Sequence, residues 1–190
     1  MYPLPDPDSR SPRAHVHPPR WQHWRRFGNR HISPAERTWL LDEGSLTERL
    51  TAASGNRFRV IVLDQRWRRP APWERDVLGM RDGAVALVRE VLLECAGQPW
   101  VFARSVLPAT SLRGKLRYLR RFGARSLGAA LFATRGIQRD AFQLARIDPR
   151  SLPIARSLSG SRPLWGRRSR LCIDGMPVLV AEVFLPACPL

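Results

Sequence analysis

The segment 166–190, GRRSRLCIDGMPVLVAEVFLPACPL, constrains the fold more than any other part of the chain. Two stretches rich in β-branched and large apolar residues, 170–173 and 177–185, flank the pair Asp174-Gly175. An Asp-Gly pair between two such stretches is the strongest short-range signal of a β-hairpin, because both residues tolerate positive φ. The sequence therefore predicts two antiparallel strands at the C-terminus with a turn at 174–175.

A carboxylate lies inside the second of these strands. Side chains alternate between the two faces of a strand, so Glu182 lies between Val180 and Phe184 on one face. An acid in such apolar surroundings is costly to bury unless it has a partner or a chemical role. Three alternatives remain open: an edge-strand glutamate facing water, a salt bridge to Arg168 or Arg170, and a functional carboxylate.

Composition limits the class of protein. A chain of 190 residues is long enough for one domain with a proper core, and a hydrophobic content of 44% agrees with a globular protein. No apolar run reaches the roughly 18 residues of a membrane span, and the N-terminus lacks the apolar centre of a secretory signal. These features predict a cytoplasmic protein.

The net charge is +16, and arginine supplies all but one of the 32 basic residues. Such a charge is compatible with binding to nucleic acid or to another anionic surface. The arginines are spread along the chain rather than concentrated in one tract, so no specific nucleic-acid partner is predicted. A positive field also suits a small anionic substrate.

The positions of cysteine and histidine argue against several kinds of chemistry. Cys95, Cys172 and Cys188 form no Cys-x-x-Cys pair and lie among apolar residues, which predicts core residues rather than a disulfide framework or a zinc site. All four histidines lie within the first 31 residues. Unless that segment folds over the site, no histidine is available as a general base or metal ligand, so no metal is predicted.

Residues 1–35 are rich in proline, arginine and histidine and show no periodic apolar pattern. This composition predicts a flexible N-terminal extension, which leaves 36–190 as the folded domain. A helix is predicted to begin at Pro34 and to end near Gly44, because proline is favoured in the first turn of a helix.

Two further helix starts are predicted inside the domain. Ser45 and Glu48 match a capping box, so a helix should begin at Leu46. Ser126 is a predicted cap for a second short helix that begins at Leu127. The free backbone N–H groups at a helix start can bind an anionic group, although a capped helix with nothing bound is the commoner case.

A second hairpin is predicted from the strands 84–95 and 100–107. Arg89 lies in the middle of an apolar face of the first strand. A guanidinium in this position either extends to the rim or meets a carboxylate, which its planar fork binds through two nitrogen atoms. Glu90 and Glu94 lie on the opposite face, which is predicted to be half solvated, so the Arg89 face should be the core side.

The remaining segments complete a fold-class prediction. The basic amphipathic stretch 111–122 is predicted as a helix with a solvated arginine face, and the less regular segment 142–163 is a candidate lid. Two hairpins, one or two further strands and several short helices, without βαβ alternation, predict an α+β fold with an antiparallel sheet.

Four sequence blocks together resemble the chorismate pyruvate-lyase family of ubiquinone biosynthesis. They are WLLDEGSLTERL (39–50), VREVLLECAGQPWVFARSVLP (88–108), SLGAALF (126–132) and LWGRRSRLCIDGMPVLVAEVFLPACPL (164–190). The likeness in content, order and spacing runs from about residue 36 to the C-terminus. It implies a monomeric, single-domain enzyme with a six-stranded antiparallel sheet, flanking helices, and lid loops over an internal ligand pocket.

The resemblance also implies an activity and a set of site residues. Members of the family split chorismate into 4-hydroxybenzoate and pyruvate, a cofactor-independent carbon–oxygen lyase reaction that is the first committed step of ubiquinone biosynthesis. Matching the motifs, the arginine that binds the ring carboxylate falls on Arg89, and the buried acid that meets the ring hydroxyl falls on Glu182. Positions that contact the ligand through the backbone fall on Leu46 and Leu127.

Some points stay open in this comparison. Arg139 and Arg168 are candidates for contacts to the second carboxylate of chorismate, and both suit purely structural roles as well. The family often has methionine where Leu46 stands, which is a mild change if only the backbone contacts the ligand. The alternative function is a non-catalytic small-carboxylate-binding domain of the same fold class, as in the effector-binding domains of some bacterial transcription regulators. Such regulators need a helix-turn-helix segment, for which residues 1–35 are too short and too rich in proline.

Overall fold

The computed structural model describes residues 18–28, 31–132, 134, 136–154 and 162–190, which form eight strands and four α-helices. The strands are β1 (Gln22–His23), β2 (Phe58–Arg68), β3 (Ala86–Cys95), β4 (Gln98–Pro108), β5 (Gln138–Arg139), β6 (Gln143–Ile147), β7 (Leu164–Ile173) and β8 (Met176–Phe184). The α-helices are α1 (Pro34–Leu40), α2 (Leu46–Ala53), α3 (Pro72–Leu78) and α4 (Leu127–Phe132). Short 3₁₀ helices span Trp24–Arg26, Gly114–Arg121 and Pro149–Ser151.

All of these strands belong to one antiparallel sheet with the order β1-β6-β7-β8-β4-β3-β2, and β5 pairs with β7 beside this path. The predicted α+β class with an antiparallel sheet is confirmed. The sheet has eight strands rather than six because β1 and β5, each two residues long, add to the six longer strands. No helix in the described ranges combines the length and the hydropathy needed to cross a membrane.

Both predicted hairpins are present. Asp174 and Gly175 have φ values of 50° and 76°, and the turn joins β7 directly to β8. Ala96 and Gly97 have φ values of 52° and 81° and make the corresponding turn between β3 and β4. This second turn has two residues instead of the predicted four, because Ala96 adopts a left-handed conformation that glycine or asparagine more often supplies.

Both faces of the sheet are buried, so the prediction of a half-solvated face around Glu90 and Glu94 is wrong. Every residue of β3 is buried. On the face that carries Arg89, called here the Arg89 face, α2, α4 and the 3₁₀ helix Gly114–Arg121 pack against the strands. On the face that carries Glu90, called here the Glu90 face, α3 packs together with the chain around Trp21. Strands that are buried on both faces have apolar residues at most positions, and seven of the ten residues of β3 are apolar.

Buried charges on the Glu90 face are paired with one another. Arg104 donates to Glu74 through Nε at 2.6 Å and through Nη2 at 2.9 Å, and it also donates to Glu90 through Nη1. Glu90 accepts a second hydrogen bond from Arg68 at 3.0 Å. Burial alone would lower the pKa of Arg104, but the hydrogen bonds and charges of Glu74 and Glu90 outweigh it and raise that pKa. The network contains as many carboxylates as guanidinium groups from these four residues and therefore needs no further ion.

The part of the predicted flexible extension that the structure describes is packed against the sheet. β1, within the range 18–28, pairs with β6, and the ring of Phe27 meets that of Trp165 edge-on at 5.4 Å between centroids. The aromatic residues among the prolines supply apolar surface that fixes this segment to the sheet, so the prediction of flexibility is wrong for residues 18–28. Residues 1–17 of the predicted extension lie outside the described residues.

Two other segments differ from their predicted structures. The basic stretch 111–122 forms a 3₁₀ helix over Gly114–Arg121 instead of an α-helix, since Gly114 has a φ of 49° and interrupts a regular helix start. The candidate lid 142–163 contributes β6 and the 3₁₀ helix Pro149–Ser151, so its first half belongs to the sheet. Its residues 155–161 lie outside the described residues.

Candidate active site

An internal cavity on the Arg89 face brings together five of the six residues singled out from the sequence. Arg89 from β3 and Glu182 from β8 lie on the sheet side of the cavity, and Arg139 from β5 lines it as well. Leu46 at the start of α2 and Leu127 at the start of α4 form part of its cover. Residues that are far apart in the chain therefore converge on one enclosed volume.

Arg168 is the exception, because it lies on the Glu90 face of β7. Its Nε donates to Oε1 of Gln143 at 2.7 Å, and its guanidinium carbon lies 4.9 Å from the ring centroid of Trp21 and 5.4 Å from that of Trp73. Burial lowers the pKa of Arg168 to about 10. Because adjacent residues of a strand point to opposite faces, Arg168 does not line the cavity, and a contact to a ligand carboxylate there does not fit this geometry.

Apolar side chains make up most of the wall of this cavity, which has a volume of about 50 Å³. The apolar lining includes Val60, Val91, Leu93, Leu131, Leu171 and Val180. Sites of this kind bind a small ligand through apolar contact and fix its orientation with a few polar groups. The polar groups of this cavity are therefore the part that determines its chemistry.

Arg89 is held in place by neutral acceptors. Its Nη1 donates to Oε1 of Gln65 at 2.9 Å and to the carbonyl of Gly123 at 2.7 Å, and its Nη2 donates to the carbonyl of Arg125 at 3.0 Å. The residue is only 3% exposed, and burial lowers its pKa, although arginine stays protonated in proteins. Within the described ranges Arg89 has no acidic partner, so it is a buried cation that an anionic ligand would complete.

Glu182 is held by Arg167, a residue that the sequence reasoning did not single out. Nε of Arg167 donates to Oε2 of Glu182 at 2.6 Å, while Nη1 donates to the carbonyls of Trp39 at 2.8 Å and Asp42 at 3.0 Å. Arg167 is 1% exposed and also lines the cavity. Oε1 of Glu182 accepts no hydrogen bond from the described residues, which leaves this oxygen available to a ligand.

The sequence did contain the signal for this pair. A two-residue turn at 174–175 fixes the hairpin register, and counting six residues away from Ile173 and Met176 leads to Arg167 and Glu182, which are directly paired. The expected salt bridge of Glu182 to Arg168 or Arg170 is thus wrong, since both arginines lie on the other face of β7.

The cover of the cavity consists of two capped helix starts. Ser45 Oγ accepts from the backbone N–H of Glu48 at 3.3 Å, and Ser126 Oγ accepts from that of Ala129 at 3.2 Å, so both serines are N-caps as predicted. The predicted capping box at Ser45 is only half formed, because among the described residues the Glu48 side chain does not bond back to the Ser45 N–H. A hydrogen bond of 2.6 Å between Oγ1 of Thr47 and Oγ of Ser126 joins α2 to α4. The two helices therefore close over the cavity as one connected layer.

Arginines outnumber carboxylates around the cavity. Arg89, Arg139 and Arg167 line it together with Glu182, which gives these four side chains a formal charge of two positive units. Burial lowers the pKa of Arg139, the charge of Arg167 lowers it further, and the charge of Glu182 opposes both effects. An excess of two positive charges in an apolar enclosure suits a small ligand with two negative charges.

The fold and the site together define a class of protein: an α+β domain with an arginine-lined cavity between a sheet and two helix starts. A family model described as chorismate lyase matches residues 19–190, which includes the segment that packs through β1. A probable chorismate pyruvate-lyase from Methylococcus capsulatus is 48% identical over 79% of this chain and 94% of that protein. One from Thiobacillus denitrificans is 45% identical over 83% of this chain and 87% of that protein. The chain therefore belongs to the chorismate lyase family and is a lyase.

Solved structures share the architecture at much lower identity. The effector domain of PhnF from Mycobacterium smegmatis matches 75% of this chain and 89% of that domain, with a TM-score of 0.56 and 20% identity. The C-terminal domain of the histidine utilization repressor from Pseudomonas syringae matches 69% of this chain and 93% of that domain, with a TM-score of 0.54 and 12% identity. These likenesses establish the fold, and the same fold serves proteins of different function.

Proposed function

We propose that this protein is a chorismate pyruvate-lyase, which converts chorismate into 4-hydroxybenzoate and pyruvate at the first committed step of ubiquinone biosynthesis. The observation that carries the proposal is the enclosed apolar cavity with three arginines and a single glutamate. The names of the relatives, probable chorismate pyruvate-lyases, support the same activity. The proposal also includes a cytoplasmic monomer that acts without a cofactor and without a nucleic-acid partner.

The charge of chorismate agrees with that of the cavity. Chorismate carries one carboxylate on its ring and a second on its enolpyruvyl side chain, and the lining residues have two positive charges in excess. The carbon skeleton of the ring is apolar, which suits the valine and leucine walls. Arg89 is the proposed ligand of the ring carboxylate, because its Nε edge has no hydrogen-bond partner in the part of the chain that the structure describes. Arg139 is the proposed ligand of the second carboxylate.

The reaction itself is an elimination that makes the ring aromatic. The ether bond between the ring and the enolpyruvyl group breaks, the ring carbon that bears the hydroxyl loses its hydrogen, and the released three-carbon fragment gains a hydrogen to become pyruvate. The two products together contain all the atoms of chorismate, so the reaction needs no oxidant and no water. The protein has to bind the dianion, exclude solvent and place one group that handles a proton.

Glu182 is the proposed proton-handling group. Its Oε2 is held by Arg167, so Oε1 can accept a hydrogen bond from the ring hydroxyl and assist proton transfer. Leu46 and Leu127 line the cavity from its cover, and their backbone groups are proposed to contact the ligand there. Desolvation under this cover strengthens each electrostatic contact to the substrate.

A non-catalytic carboxylate-binding domain is the second candidate, because the fold is shared with effector domains of transcription regulators. Incubating the purified protein with chorismate, without added metal or cofactor, separates the two. We expect 4-hydroxybenzoate and pyruvate to appear in equal amounts. Absence of both products, together with thermal stabilisation by 4-hydroxybenzoate, would refute the lyase proposal in favour of the binding domain.

A further inference from the structure

Arg167 is the one cavity arginine to which neither the resemblance nor the proposed function assigns a substrate contact. We propose that Arg167 is a positioning residue for Glu182: it holds one carboxylate oxygen so that the other faces the substrate, and it makes this orientation depend on the closed cover. The inference rests on the proposed lyase function of the same cavity.

Hydrogen bonds fix the guanidinium of Arg167 on two sides. Nε is bound to Oε2 of Glu182 at 2.6 Å, and Nη1 is shared between the carbonyls of Trp39 and Asp42 at 2.8 Å and 3.0 Å. A guanidinium is planar, so holding both nitrogens also sets the direction of the Nε–H bond. The carboxylate at the end of that bond therefore has one preferred orientation.

Aromatic rings restrict the same group from its faces. The guanidinium carbon lies 4.7 Å from the ring centroid of Phe142 and 5.6 Å from that of Phe184. Cation–π contacts of this kind add stability when the cation is desolvated, and Arg167 is 1% exposed. Rotation of the side chain would break its hydrogen bonds and its ring contacts together, so the Arg167–Glu182 pair is rigid.

The carbonyl acceptors connect this pair to the cover of the cavity. Trp39 belongs to the last turn of α1, and Asp42 lies in the connection to α2, the helix whose first residue covers the ligand site. The side chain of Asp42 is itself fixed, because Oδ1 accepts from the backbone N–H of Gly44 at 2.8 Å and Oδ2 accepts from Arg49 at 2.9 Å. Outward movement of this connection would remove the Nη1 hydrogen bonds and release Glu182 from its orientation.

The first test is the variant Arg167→Lys. A lysine keeps the positive charge but has a single nitrogen, so it cannot bind Glu182 and the two carbonyls in the same planar arrangement. We expect kcat for chorismate to fall about 10- to 100-fold, because misplacing a reacting group by about 1 Å costs that much. The Kd for 4-hydroxybenzoate, measured by calorimetry, should change less than about threefold, since Arg89 still binds the carboxylate.

A double-mutant cycle separates positioning from other roles. If Arg167 acts through Glu182, adding Arg167→Lys to Glu182→Gln should lower kcat by no more than about twofold beyond Glu182→Gln alone. Arg104→Lys is the matched control. Arg104 is a largely buried arginine on β4, which pairs with β8, the strand that carries Glu182, and it binds glutamates on the Glu90 face. The control should lose stability and keep its kcat per folded molecule.

Four results would overturn the proposal. A higher Kd with an unchanged kcat would make Arg167 a direct ligand of the substrate, and multiplicative losses in the cycle would show an independent role. An Arg167→Lys protein in which kcat and Kd are both unchanged would remove any role while leaving the lyase function intact, whereas a wild-type protein that forms no product would refute that function itself and the inference with it.

Phe184→Leu keeps the inference testable if Arg167→Lys does not fold. This variant removes a ring that packs against the guanidinium of Arg167 and leaves every hydrogen bond of Arg167 in place. We expect a smaller fall in kcat, about two- to fivefold, with the same Kd for 4-hydroxybenzoate. A folded Phe184→Leu protein with wild-type kcat would contradict the rigid positioning of Glu182.

Discussion

Two buried arginine–glutamate pairs lie on opposite faces of the same sheet, and their surroundings differ. On the Glu90 face, Arg104 binds Glu74 through two nitrogen atoms and also binds Glu90, which Arg68 neutralises in turn. On the Arg89 face, Glu182 uses one oxygen to bind Arg167, and further arginines line an internal cavity beside it.

The difference separates a structural network from a ligand site. In the network of Glu74, Glu90, Arg68 and Arg104, carboxylates match guanidinium groups in number, so those four charges need no ligand from outside the protein. Where cations exceed carboxylates next to open volume, the buried charge is costly until an anion arrives. Burial of an Arg–Glu pair alone would not have distinguished the two faces, because each pair has one buried and one partly exposed partner.

Glu182→Gln should have the largest effect of these variants, and the effect should be on turnover alone. The amide can still accept a hydrogen bond but cannot take a proton as the carboxylate can, so kcat for chorismate should fall about 10²- to 10⁴-fold. The Kd for 4-hydroxybenzoate and the melting temperature should stay close to those of the wild type. A variant that retains most of its activity would contradict the proposed role of Glu182.

Arg89→Ala should act mainly on binding. Losing charge-assisted hydrogen bonds to the ring carboxylate costs about 1.5–3 kcal/mol, which corresponds to a KM for chorismate roughly 10- to 100-fold higher. Steady-state kinetics over a wide range of chorismate concentrations will show it, with circular dichroism as the check on folding. An unchanged KM would count against Arg89 as the carboxylate ligand.

Glu74→Gln makes the same chemical change on the Glu90 face and should affect stability alone. Glu74 is 1% exposed and accepts two hydrogen bonds from Arg104, which is 21% exposed and keeps Glu90 as its other partner, so neutralising Glu74 weakens two charge-assisted hydrogen bonds and costs about 1.5–3 kcal/mol of unfolding free energy. Urea unfolding measures this loss. A fall in kcat per folded molecule comparable with that of Glu182→Gln would remove the contrast between the faces.

The smallest effect is expected from opening the cover. The variant Thr47→Val removes the 2.6 Å hydrogen bond between α2 and α4, worth about 0.5–1.5 kcal/mol, and leaves the Ser126 cap of α4 in place, so 4-hydroxybenzoate should dissociate about two- to tenfold faster. Stopped-flow displacement measures this rate. Thr51→Val is the control, because Thr51 Oγ1 donates only within α2, to the carbonyl of Thr47; equal rates in both variants would contradict the role of the connection.

The local elements of this site were easier to predict from the sequence than the contacts between residues far apart in the chain. The Asp174-Gly175 turn, the caps at Ser45 and Ser126, and the embedded Arg89 depend on residues close in the chain, and the turn and both caps are present in the structure. Pairing across the sheet depends on the register of the strands. The two-residue turn determined that Arg167 is the partner of Glu182, but this pairing was not predicted.

The local sequence pattern did not predict which segments cover each face of the sheet. The burial of Glu90 depends on α3 and on the chain around Trp21, which pack there from distant parts of the sequence. Proline content predicted flexibility for residues that aromatic contacts hold against β6. In both cases tertiary packing outweighed local composition. The reason is that contacts between residues far apart in the sequence bury apolar surface, and a short window of sequence does not contain both partners.

The most direct test of the account is the ratio of two turnover numbers in one assay. Glu182→Gln and Glu74→Gln are measured with chorismate at a temperature where both variants are folded, and each rate is divided by the concentration of folded protein. The account predicts that Glu182→Gln has about 1% or less of the kcat of Glu74→Gln. Equal values for the two variants would contradict the assignment of catalysis to the Arg89 face.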